Sequence, residues 1–125
     1  MTNNMNILIV KPTWAEKILH KNKIWEIRGS NTHKRGRIGI AMSGTGQVYG
    51  TVALIDSIPL TKELWELNSD KHQVELSWDE LLCIYKKPYA WVFASDKTEV
   101  YESPVPYLHK KGAVIWVKNN NIEEV

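Results

Sequence analysis

Apolar positions in this chain recur mostly with a period of two, in short runs broken by Gly, Pro and polar residues. Asn6–Lys11 (NILIVK) is a β-branched run ended by Pro12 and predicts a buried strand. From Pro12 to about His20 the spacing switches to that of a helix, with Trp14, Ala15, Ile18 and Leu19 as its apolar stripe. Thr13-x-x-Glu16 stands at capping-box spacing at its start. Lys23–Arg28 alternates again, which places Trp25 and Ile27 on one face and Ile24, Glu26 and Arg28 on the other. Gly29–Gly36 (GSNTHKRG) is a polar, basic loop, and Arg37–Met42 is the next strand. Ser43–Gln47 reads as a hairpin turn, because its glycines supply the positive φ angles such turns need. Val48–Ser57 is a long strand ended by Pro59, with Gly50 marking a bulge or a close approach of backbone.

The second half carries a short helix at Thr61–Asn68 and another from the capping box Ser77-x-x-Glu80 to about Tyr85, closed by Lys86-Lys87-Pro88. Tyr89–Ser95 is a strand with Tyr89, Trp91 and Phe93 on one face. Pro104–Tyr107 is extended, and Ala113–Lys118 is the last strand. About six short strands with two or three short helices predict an α+β domain with a curved or closed sheet. Neither a repeat nor a linker interrupts the pattern. One domain over 1–125 is expected, with residues 1–5 and 119–125 as flexible ends.

Charge changes this picture more than composition does. The formal net charge is only +2, yet His20–Arg37 holds Lys21, Lys23, Arg28, Lys34, Arg35 and Arg37 against the single acid Glu26. Thr61–Glu80 holds Glu63, Glu66, Asp70, Glu75, Asp79 and Glu80 against Lys62 and Lys71. A basic patch on a near-neutral domain points to an anionic partner, nucleic acid first, unless it is merely a solvated face. Cys83 is the only cysteine, so no intrachain disulfide is expected, and among Leu81, Leu82 and Ile84 it reads as a buried, inert thiol. The apolar run at the N-terminus is four residues, too short for a signal sequence or a membrane span, and a cytoplasmic protein is expected. His20, His33, His72 and His109 show no metal-ligand spacing, so neither zinc nor any cofactor is expected. The Ser43-Gly44-Thr45-Gly46 turn lacks the Gly-Lys-Ser/Thr ending of a phosphate loop, but can line a cleft.

The candidate chemistry sits between Lys11 and Arg28. Glu26 and Arg28 share a strand face, Lys23 stands at that strand's mouth, and Trp14 opens the preceding helix. An indole, an ammonium, a carboxylate and a guanidinium near one mouth can stack a base, hold a phosphate and move a proton. The same residues also fit a structural ion pair beside a core tryptophan. Of the other tryptophans, Trp25, Trp91 and Trp116 lie on apolar strand faces and are expected in the core. Trp65 and Trp78 lie in the acidic helices and are expected to pack or to be half-exposed.

The Pro12-Thr13-Trp14-Ala15 turn, its helix and Lys23-Ile24-Trp25-Glu26-Ile27-Arg28 resemble the signature of the ASCH domain, a small β-barrel module of the PUA-like superfamily. Gly36–Ala41, Val48–Ile55, Tyr89-Ala90-Trp91-Val92 and the closing Pro104–Tyr107 and Gly112–Val117 follow in the same order, so the resemblance spans about Asn6 to Lys118. It implies a barrel with a cleft beside it, and RNA as partner. Some small bacterial ASCH proteins are enzymes: one group hydrolyses N4-acetylcytidine, and ribonuclease activity is attributed to another. The amidohydrolase group is thought to use a lysine, a threonine three residues on, and a distant glutamate. Lys23 matches the lysine, Glu26 stands where the threonine would be, and Glu75 is the nearest candidate for the distant acid.

Three functions are therefore carried forward. The first is an ASCH-type domain that binds RNA or a nucleotide-like ligand through Trp14, Lys23, Glu26 and Arg28. Ser30, His33, Lys34, Arg35 and Arg37 would lie along the basic rim. The second is a hydrolase of modified nucleosides or RNA in the same cleft, with Lys23 and Glu26, and more weakly Glu75, as its acid–base groups. The third is a protein-interaction module with an incidental basic patch. No membrane partner is expected for any of them.

Overall fold

The computed structural model describes residues 5–109 and 111–119. Seven strands and four short helices alternate along it: β1 (Met5–Val10), α1 (Pro12–His20), β2 (Trp25–Arg28), β3 (Gly36–Met42), β4 (Gln47–Pro59), α2 (Lys62–Leu67), α3 (Ser69–His72), α4 (Trp78–Ile84), β5 (Tyr89–Phe93), β6 (Glu99–Pro106) and β7 (Trp116–Asn119). All strands join one mixed sheet in the order β2-β5-β4-β3-β1-β7, with β6 also paired to β4. β1 and β3 run parallel, as a crossover through a helix requires, and the remaining pairs are antiparallel.

The thirteen-residue β4 is the spine. Its first half pairs with β6 and its second half with β5, while β3 runs along its other edge. Register shifts at Ile40/Ala41, Val48/Gly50 and Leu54/Asp56 bend the sheet, because an extra residue on one strand kinks it and tightens its twist. Gly50 is required at this crossing, since a Cβ there would run into the carbonyl oxygen of Glu99 on β6. Strand pairing among the described residues does not close the sheet, yet side chains draw its ends together. Arg28 of β2 donates to the Ile9 carbonyl of β1 at 3.2 Å, and Trp91 of β5 stacks on Trp116 of β7 with centroids 5.6 Å apart.

Most strands are buried on both faces. Inside the curve, Leu8, Val10, Ile38, Ile40, Val52, Leu54, Trp91 and Phe93 close over Ala15, Ile18 and Leu19 of α1. On the other face, α2 and α4 cover β2 and β5 through Trp65 and Leu81 against Trp25, Ile27 and Ala90. Trp25, Trp65 and Trp91 are buried, while Trp14, Trp78 and Trp116 are half-buried.

The α+β fold and a barrel-like sheet agree with expectation, but the element count and several details do not. α3 is a single turn, too short to carry a periodic signal, and β6 extends back to Glu99 through a stretch with no apolar alternation. The capping box at Thr13 does not form. Lys11 is the N-cap without a side-chain bond, and Pro12 at the first helical position has no N–H to satisfy. Cys83 is exposed, not buried, because the short α4 turns only Leu81 fully inward. Of the ends expected to be flexible, Met5 and Asn119 pair with each other, and the remainder lies outside the described residues. None of the helices is long and apolar enough to cross a membrane, and among the described residues no three His, Cys, Asp or Glu side chains gather as metal ligands would.

Candidate functional site

α1 ends at His20, and the chain reverses through Asn22, whose φ of 56° lies in the left-handed region that Asn tolerates better than most residues. The Lys23 amide then returns to the Lys17 carbonyl at 3.0 Å, which tucks Lys23 beneath the start of β2. β2 pairs through Glu26 with Trp91 and through Arg28 with Tyr89 on β5. Glu26 and Arg28, two residues apart, project to the same side. The result is a cavity of about 430 Å³ whose walls include Trp14, Lys23, Glu26 and Arg28. Ile27, Val74, Leu76, Leu81, Ile84 and Tyr85 supply much of its apolar surface.

The polar groups in this cavity are partly committed to one another. Two of the three Arg28 side-chain nitrogens fall on one carboxylate oxygen of Glu26, Nε at 3.0 Å and Nη2 at 2.9 Å from Oε2. Among the described residues no hydrogen bond reaches Oε1. The Lys23 ammonium donates to the His72 carbonyl and lies 4.8 Å from the centroid of the Trp14 indole, with the Lys17 ammonium 5.2 Å from the same ring. Lys23 is 1% exposed and Glu26 4%. Burial lowers the Lys23 pKa from 10.5 to about 8; the Glu26 carboxylate opposes the shift, and Lys17 and Arg28 add to it. At neutral pH the cavity therefore holds an ammonium close to its titration point beside Glu26, whose Oε1 accepts no hydrogen bond among the described residues.

The α3 segment supports this arrangement from behind. Three successive carbonyls, of Lys71, His72 and Gln73, receive the Ile24 amide at 3.1 Å, the Lys23 ammonium, and the Lys17 ammonium at 3.3 Å. The His72 ring is stacked on Trp65 at 3.6 Å with an interplanar angle of 5°. These contacts leave no signature in a sequence, because the acceptors are main-chain oxygens. Residue spacing in the sequence tests His72 only as a metal ligand.

The remaining candidates separate into different places. Ser30, His33 and Lys34 line a second depression of about 520 Å³ with Asn31, Thr32, Trp91, Ile115 and Trp116. The Trp91 indole donates to the Ser30 carbonyl at 2.9 Å, and the Lys34 ammonium lies 5.2 Å from the Trp116 ring. Arg28 lines the first hollow, and its guanidinium lies 5.4 Å from the ring of Trp91, a residue that lines the second. Arg35 and Arg37 do not reach the cleft. Arg35 is turned onto the Thr32 and Lys34 carbonyls and Asp56, and Arg37 onto Thr51 and the Lys97 carbonyl. Arg37 stands at the start of β3 and Ser43, in the cavity wall, just past its end, roughly 20 Å apart at the rise of a strand. Glu75 is exposed and does not line the cavity, although its neighbours Val74 and Leu76 do. Ser43, from the glycine turn, lines both the cavity and a third hollow that includes Gly44, Gly46 and Tyr107.

No family model matches the sequence, and no curated protein matches it either. Among solved structures, the chain is similar to the ASCH protein of Zymomonas mobilis, with a TM-score of 0.58 at 18% identity over 79% of this chain and 74% of that one. A serine-to-alanine variant of that protein matches with a TM-score of 0.65 at 16% identity, over 97% of this chain and 92% of the other. A tyrosine-to-phenylalanine variant matches with a TM-score of 0.56 at 16% identity, over 86% and 76%. Likeness at these identities speaks for architecture: the chain has the fold of an ASCH domain, as the resemblance implied.

Proposed function

We propose that this chain is an ASCH-type domain that binds RNA or a nucleotide-like ligand in the cavity beside β2. The observation that carries the reading is the convergence of Trp14, Lys23, Glu26 and Arg28 on one cavity of about 430 Å³ with both polar and apolar walls. Such a volume falls in the range of roughly 300–1,000 Å³ typical of small-ligand sites. Trp14 offers its indole to a base. Oε1 of Glu26 accepts an exocyclic amine, and Lys23 and Arg28 attract the phosphate. The depression holding Ser30, His33 and Lys34 continues the basic surface past Arg28 and receives the adjoining backbone. A cytoplasmic location goes with this reading, because one free thiol suits a reducing compartment.

The test is a titration with short single-stranded RNA, cytidine and N4-acetylcytidine, followed by tryptophan fluorescence and by chromatography of the mixtures. Quenching with intact ligand is the expected result, and Trp14→Ala should weaken binding by about 1–3 kcal/mol, the usual worth of one stacked base. Absence of binding to all three at low salt, with a protein partner copurifying, would move the chain to the interaction-module reading.

A second reading is favoured by one observation, the lowered pKa of Lys23 beside the Glu26 carboxylate. A base that titrates near the working pH is suited to proton transfer, so the same cavity fits a hydrolase of modified nucleosides or RNA. Conversion of ligand in the chromatograms, lost in Lys23→Ala with the fold intact, would establish it; conversion retained in that variant would remove Lys23 from the chemistry.

A further inference from the structure

His72 is 2% exposed, and every hydrogen-bonding atom of its ring is occupied. Val74 donates its amide to Nδ1 at 3.0 Å, so Nδ1 carries no proton. Nε2 lies 2.9 Å from the Trp65 carbonyl and must therefore be the N–H donor. The ring is thus held neutral in a single tautomer. Its main-chain carbonyl accepts the Lys23 ammonium. Between these two contacts lies Gln73, with φ 54°, a left-handed bend that Gln adopts only under constraint. The Val74 amide bonded back to the His72 ring spans that bend and holds it.

We propose that His72 is a positioning residue for Lys23: its Nδ1, by accepting the Val74 amide, fixes the bend at Gln73 and so aims the carbonyl of residue 72 at the ammonium. The proposal rests on the reading of the cavity as a ligand site, and adds what keeps its cation in place. An ammonium has three donors. One is spent on the carbonyl, which leaves two for a ligand and stops the side chain from swinging out to water. The charged and titratable groups around this contact are Lys17 of α1, Glu26 and Arg28 of β2, and Asp70 beside His72. Burial holds the His72 pKa below 6.5, with the Trp65 carbonyl and Asp70 opposing and Lys23 assisting. The ring therefore stays neutral while Lys23 titrates.

The test needs no ligand. The Lys23 13Cε shift is followed against pH by NMR in lysine-labelled protein, in the wild type, His72→Asn and His72→Phe. Asn places an acceptor where Nδ1 stands but removes the stack; Phe keeps a ring on Trp65 but removes the acceptor. His72→Asn should leave the Lys23 midpoint near 8, whereas His72→Phe should raise it by a unit or more toward 10.5 as the side chain reaches water. Equal midpoints in the two variants would overturn the proposal, because a purely structural role follows stability and not the acceptor. Should His72→Phe fail to fold, 15N spectra of the wild-type imidazole decide: an Nε2–H ring at pH 7 is expected, and a charged or Nδ1–H ring overturns the proposal. If wild-type protein binds neither RNA nor nucleoside, the functional reading falls while the Lys23 titration still stands or fails by itself.

Discussion

Lys23 is a liability that the fold retains. A lysine whose pKa is lowered from 10.5 to about 8 has its charged form disfavoured by about 3 kcal/mol relative to water. Lys23→Met should therefore stabilise the protein at pH 7 by about 1–2 kcal/mol in urea denaturation, while weakening nucleotide binding. The sign in pH follows from proton counting. Between pH 8 and 10.5 the unfolded chain binds the proton that the folded chain has shed, so wild-type stability rises across that window and the advantage of Lys23→Met shrinks. A constant difference between the two proteins from pH 7 to 10.5 would show that Lys23 is not desolvated. Glu26→Ala should act the other way, and destabilise by about 3 kcal/mol, because it leaves Arg28 and Lys23 without their counter-charge. These residues were legible in the sequence, since a two-residue spacing on a strand places side chains together whatever the rest of the chain does. His72 was not, because its role depends on a carbonyl and on a ring buried against Trp65.

At the scale of elements, local chemistry foretold some ends and missed others. The capping box at α4 is formed in full: the Ser77 hydroxyl accepts the Glu80 amide at 3.1 Å, and Glu80 returns to the Ser77 amide at 2.9 Å. Those bonds hold the Glu80 carboxyl below its ordinary pKa. Ser77→Ala should cost about 1 kcal/mol in thermal or urea unfolding. Thr61 likewise accepts the Leu64 amide and caps α2. The similar pattern at Thr13 stayed unused because Pro12 begins the helix without an orphan donor. Gly50, whose place in the strand pattern predicts a bulge or a close approach, is both. Gly50→Ala should force β6 off β4 and destabilise by about 1–3 kcal/mol, read as early hydrogen exchange in Val100 and Val105. The single turn of α3 leaves no pattern in the sequence because four residues carry no period, yet it supplies carbonyls behind the cavity.

Across the whole molecule, the basic segment proves to be two surfaces. Lys23 and Arg28 face the cavity, and Lys34 faces the adjoining hollow, whereas Arg37 lies at the far end of β3. Lys34→Ala should weaken RNA binding across sequences and reduce the slope of log affinity against log salt by about one. Arg37→Ala should leave both unchanged, as its guanidinium is turned onto Thr51 and the Lys97 carbonyl. Equal effects of the two substitutions would mean that the RNA path runs along β3 and not across Arg28. The acidic stretch also acquires a place. Its helices pack over β2 and β5, and the main-chain carbonyls of His72 and Gln73, not its carboxylates, meet the ammonium groups of Lys23 and Lys17.

Period and punctuation by themselves determined most of the strands and helices, the α+β class and the same-face placement of Glu26 and Arg28, because each is set by neighbours a few residues apart. Tertiary structure alone decided which cations face the cavity, that Cys83 is exposed, and that Lys23 is held by the carbonyl of a residue 49 positions away. The reason is physical: burial and main-chain acceptors belong to the packed surface and not to the residue type, and a pKa follows burial.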